Sequence, residues 1–110
     1  MNRLPMSPTA GALLRTLITR AGTTRDRILL TDVRSTDWRS LTFTGERHEL
    51  RLRAPAPGAA ELVERLCTGL EDAELSLPGA IVADINVVQV EIERDGSTNL
   101  TIEALTVVAD

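Results

Sequence analysis

The chain is most constrained near its C-terminus, where residues 80–94 and 98–109 form two β-rich runs flanking Asp95-Gly96-Ser97. Turn residues between two such runs specify a hairpin. A register that sets Ile92 against Leu100, Val90 against Ile102 and Ile85 against Val107 keeps apolar residues opposite one another. A slip of one residue would bury charges instead. The apolar positions nevertheless change parity along both runs. Near the turn they fall on the face of Val88, Val90 and Ile92; farther away they fall on the face of Ile81, Ala83, Ile85 and Val87. Two arrangements accommodate that change. A bulge can restore the alternation. Alternatively, the hairpin runs past its own helices and covers a second copy, giving a homodimer. The self-association surface would then be Ile81, Ala83, Ile85, Val87, Leu105 and Val107.

Upstream, Ser7-Pro8 reads as a helix start, with a side-chain cap followed by a proline whose missing N–H costs nothing. Ala10, Leu13, Leu14, Leu17, Ile18 and Ala21 follow at helical spacing, which predicts a helix over 8–21 and leaves 1–6 as a flexible tail. Residues 26–34, 38–44 and 47–53 read as three strands of a meander, separated by Ser35-Thr36-Asp37 and Gly45-Glu46. Ala54-Pro55-Ala56-Pro57-Gly58 is a stiff connector to a second helix near 58–71, striped by Leu62, Val63, Leu66 and Leu70. Residues 71–77 fit a frayed helix end, a loop or a short edge strand. The order α-β-β-β-α-β-β implies a single α+β domain over 7–110. The expected form is a two-layer sandwich, with two helices on one face of a mainly antiparallel five-stranded sheet.

Composition narrows the function classes. One Cys excludes an internal disulfide, and Cys67 with His48 falls short of the about four ligands of a structural zinc site. No run approaches the roughly 18 apolar residues of a membrane span, and Arg15 and Arg20 interrupt any signal-like segment. The expectation is a cytoplasmic protein without membrane association, cofactor or metal. All twelve Lys/Arg positions are Arg, a usage suggestive of a GC-rich bacterial genome. Charge is unevenly spread: residues 1–53 carry net +5 and residues 54–110 net −9. If the halves share one sheet, these charges can meet within the fold or between copies.

The residues that could carry chemistry are few. His48 is the one side chain that ordinarily titrates near neutrality, and it lies on the parity of Leu50 and Leu52. A partly buried structural histidine is the plainer account; a catalytic role would need a carboxylate such as Glu46, Asp84 or Glu91. Asp84 interrupts the apolar run from Ile81 to Ile85 and is the other weak catalytic candidate. Cys67 lies on an apolar helix stripe and reads as a small hydrophobe. No G-x-S-x-G or glycine-rich phosphate loop occurs. Arg47, Arg51 and Arg53 share a strand face that could hold an anion, but a pI near 5.0 and 2% aromatics speak against nucleic acid. The expected function is a non-catalytic homo-oligomeric or protein-interaction module. The alternatives are a polyanion binder using the three arginines and a small ligand-binding protein or enzyme centred on His48.

Overall fold

The computed structural model describes residues 6–109, so the expected tail lies outside the described residues except for Met6. Helix α1 spans Pro8–Arg20, and the Ser7 hydroxyl accepts from the Ala10 amide at 3.1 Å. Strands β1 (Leu29–Arg39) and β2 (Thr44–Ala54) follow, then helix α2 (Ala59–Cys67) and a single 3₁₀ turn, Leu70–Asp72. The chain closes with β3 (Ser76–Leu77), β4 (Ala80–Ile92) and β5 (Thr98–Val108). The sheet is antiparallel, ordered β1-β2-β5-β4-β3, and is curled as a half-barrel. Leu13 and Leu17 of α1, Leu62 and Leu66 of α2, and Leu50, Leu52, Leu100 and Ile102 of the sheet form one buried cluster. Both helices therefore share one face of a two-layer α+β sandwich. Among the described residues no helix is long and apolar enough to cross a membrane.

Strand order along the chain is α-β-β-α-β-β-β rather than α-β-β-β-α-β-β. The expected break at Ser35-Thr36-Asp37 does not occur: these residues pair in register with His48, Arg47 and Glu46. Nor does Gly45-Glu46 end a strand. The chain turns instead at residues 40–43, where the Ser40 amide donates to the Phe43 carbonyl at 2.8 Å and the Ser40 hydroxyl accepts from the Phe43 amide at 3.1 Å. The fifth strand is the short β3, which pairs with the start of β4. Helix α2 stops at Cys67, earlier than the apolar stripe suggests, because Thr68 turns extended and Gly69 adopts a left-handed φ of 70°. The two helix C-termini are clasped by each other's arginines. Arg20 donates to the Leu66 and Thr68 carbonyls, and Arg65 donates to the Ala21 carbonyl at 2.8 Å.

The terminal hairpin is tighter than the 92/100 register. Ile92 pairs with Thr98 and Val90 with Leu100. The pairing slips one residue between Val87 and Gln89, and again between Val82 and Asp84. These two bulges produce the parity change. Val82, Ile85, Val87, Val90 and Ile92 all pair with alternate residues Thr106, Ala104, Ile102, Leu100 and Thr98, whose side chains are buried beneath the helices. Apart from Ile81 and the bulged Ala83 and Val88, the apolar residues of β4 thus keep to one face, because each bulge consumes one residue of the alternation.

The two charge halves meet at the hairpin end. Arg53 holds Glu93 with paired hydrogen bonds of 2.9 and 3.0 Å, and Asn99 donates to the same carboxylate at 2.8 Å. Those donors hold the Glu93 carboxyl at about 2, below its ordinary 4.5. A depressed acid contributes stability that is full above its unfolded pKa and is lost as pH falls through the folded value. Urea unfolding of Glu93→Gln is therefore expected to show a shallower acid limb between pH 4.5 and about 2 than the parent. Parallel limbs would remove Glu93 from the acid response.

Candidate functional site

His48 sits on β2 facing the helices and is 2% exposed. Its Nδ1 lies 2.8 Å from the Ser35 hydroxyl on β1, and its Nε2 lies 2.9 Å from the Thr106 hydroxyl on β5. Thr106 can also donate to the Glu46 carbonyl at 3.4 Å. In that arrangement Thr106 accepts from Nε2–H, and Nδ1 accepts from Ser35. Burial pushes the imidazole below its ordinary pKa of 6.5, against a smaller opposing effect of the Glu46 charge, so the ring is neutral at pH 7. Both ring nitrogens are spent on hydroxyls that tie β1, β2 and β5 together. A general base must reach its substrate's proton, and this one is closed in by its own strands.

Beside this hub the sheet end opens into a cleft of about 370 Å³, bordered by Thr9, Asp37, Trp38, Arg39, Gly45 and Glu46. The Trp38 indole N–H crosses Gly45 to donate to the Thr106 carbonyl at 3.2 Å. Gly45 is needed here for space: a Cβ would stand 1.8 Å from that carbonyl oxygen and 2.9 Å from Trp38 Nε1. The cleft therefore adjoins the His48 hub through Thr106. The Ser40–Phe43 turn projects beyond it, with Leu41 106% and Phe43 55% exposed. Trp38, Gly45, Val107 and Ile81 lie in one row across four strands, so exposed Ile81 and its neighbour Val108 mark the same end of the sheet.

Away from the Trp38–Ile81 row, the open face of the sheet, opposite the helices, is mostly polar. Arg34, Glu49, Glu103 and Asn86 form one row across it, and Thr36, Arg47, Leu105 and Asp84 the next. A cleft of about 350 Å³ gathers residues of both rows. Asp84 and Arg47 line it together, separated by the strand of Leu105. His48 and Asp84 both border this cleft, but no hydrogen bond joins them: both imidazole nitrogens are taken by Ser35 and Thr106. Arg47, Arg51 and Arg53 do share the open face, but Arg51 lies 3.5 Å from Glu49 and Arg53 is held by Glu93. The six apolar positions grouped from the hairpin do not share one surface. Ile85 belongs to the core and Val87 packs against it, Val107 is buried outside that cluster, and Ile81 and Ala83 are exposed. Cys67 is half-buried on α2, and burial pushes its thiol up, away from the nucleophilic thiolate. Among the described residues no three His, Cys, Asp or Glu side chains gather as a metal-binding group.

Ser35, Thr106 and the Trp38–Gly45 contact are absent from the expected site. One signal for Thr106 was available: a lone hydroxyl in the apolar run Leu105-Thr106-Val107-Val108. Comparison with protein-family models, curated proteins and solved structures returned no match.

Proposed function

We propose that this chain is a non-catalytic protein-interaction module that presents the β1–β2 turn to a partner. The observation that carries the reading is the exposure of Leu41 and Phe43 on a turn fixed by its own hydrogen bonds. Apolar anchors held in place before binding lose little conformational freedom on docking. Trp38, Ile81 and Val108 place further apolar side chains at the same end of the sheet, and exposed apolar surface of this kind marks interaction sites. The polyanion reading draws less support, because acids engage two of the three guanidiniums proposed for it. The His48-centred reading loses its general base to Ser35 and Thr106.

The test is a photoreactive benzoylphenylalanine at position 43, activated in cells expressing the full chain. A discrete protein adduct is expected, absent when Leu41→Ser is added and absent from the same label at exposed position 61. No adduct, or equal adducts at both positions, would remove this reading. Leu41→Ser and Phe43→Ser should each change stability by no more than about 0.5 kcal/mol in urea unfolding, as surface substitutions do.

A further inference from the structure

Strand β4 is an edge strand for most of its length. The short β3 covers only Ala80 and Ile81 by strand pairing, with one further bond from the Val82 amide to the Leu75 carbonyl. At the other end of β4 the Glu93 amide donates to the Ser97 carbonyl. Antiparallel bonding alternates by residue, so Gln89 and Glu91 turn their backbone groups toward β5, and Val90 and Ile92 turn theirs outward. On the helix-bearing face Val90 is 49% and Ile92 75% exposed, because the helices stop short of this edge. Val88 is exposed at the bulge beside them. An unpaired strand edge with apolar side chains is a template for another strand.

We infer that β4 pairs with β4 of a second copy, antiparallel, about a two-fold axis at Val90. The segment Val88-Gln89-Val90-Glu91-Ile92 has the same apolar–polar pattern read in either direction. Centred on Val90, it sets Val90 against Val90, Val88 against Ile92, and Gln89 against Glu91. Shifting the centre to Glu91 opposes two carboxylates, and shifting it to Gln89 sets Val87 against Glu91. Only the Val90 centre matches apolar with apolar and avoids opposed like charges. The bulges at Ala83 and Val88 limit the regular ladder to about five residues. The contact therefore belongs with small, reversible interfaces. It stands apart from the β1–β2 turn, so either proposal can fail alone.

The test uses the full chain with Cys67→Ala, carrying Val90→Cys or Ile92→Cys under mild oxidant. Two Val90 Cα atoms in a hydrogen-bonded pair would lie about 5.5 Å apart, inside the range a disulfide spans. Two Ile92 positions would be displaced by four residues, about 14 Å along the strand. Val90→Cys is expected to give a disulfide-linked dimer many-fold faster than Ile92→Cys. Sedimentation of the parent should show a concentration-dependent dimer that Val90→Lys abolishes. Far-ultraviolet circular dichroism should confirm that this exposed-site variant remains folded. A parent that stays monomeric into the millimolar range would overturn the proposal. So would a dimer indifferent to Val90→Lys, or equal crosslinking at the two positions.

Discussion

His48→Ala is expected to lower stability by about 3 kcal/mol, combining the cavity left by a buried ring with hydroxyls stripped of their partner. For a chain of this size that corresponds to a fall in melting temperature of roughly 12–24 °C, from about 4–8 °C per kcal/mol. The same substitution should change the pH response. Burial holds the folded His48 below its ordinary 6.5, so the unfolded chain takes up the proton first as the solution is acidified. Its contribution is complete above 6.5 and declines as pH falls through 6.5 toward the folded pKa. Urea unfolding between pH 5 and 8 should show the parent losing stability below 6.5, and His48→Ala should flatten that part of the profile. The Glu93 response lies lower, below 4.5, and the two are separable on one curve. Equal slopes in parent and variant would mean that His48 is not buried neutral.

Local signals were the most legible part of this fold. Ser7-Pro8 marked the start of α1 because a cap and a first-turn proline act within one turn of helix, and both are present. The strand boundaries in the first half were less legible. Ser35-Thr36-Asp37 has the composition of a turn, yet Ser35 is held in β1 by its bond to His48, a partner on another strand. Gly45 resembles a strand break, but its role is to admit the Trp38 indole, a contact set by register. In the terminal hairpin the parity of Val88, Val90 and Ile92 against Ile85 and Val87 was visible. The bulges behind it shift the pairing between Val87 and Gln89 and between Val82 and Asp84, and alternation alone does not fix their positions or the length of the turn. The site followed the same division. His48 stood out as a residue type, whereas Ser35 and Thr106 became its partners only when three strands were set side by side.

Gly45→Ala should be as costly as the loss of His48, for a different reason. The added Cβ would stand 1.8 Å from the Thr106 carbonyl oxygen, and the atom it meets is backbone. No rotamer change relieves such a contact, so β2 and β5 must separate where Gly45 pairs with Val107. Overpacking of well-fitted sites costs up to about 3 kcal/mol and occasionally more, and a fixed backbone obstacle places this case at the upper end. Trp38→Phe tests the accompanying hydrogen bond alone and should cost about 1 kcal/mol. Removing the indole should not rescue Gly45→Ala, because the clash with Thr106 remains when Trp38 is gone. Trp38 is the only tryptophan, so its emission reports on this contact directly. A red shift should accompany Gly45→Ala as the indole loses Thr106 and meets more water. Thr106 also accepts from His48, so separation of the strands would expose the imidazole and move the pH response toward 6.5 from below. Gly45→Ala with parental stability and unshifted emission would show that the two strands do not approach as closely as this packing requires.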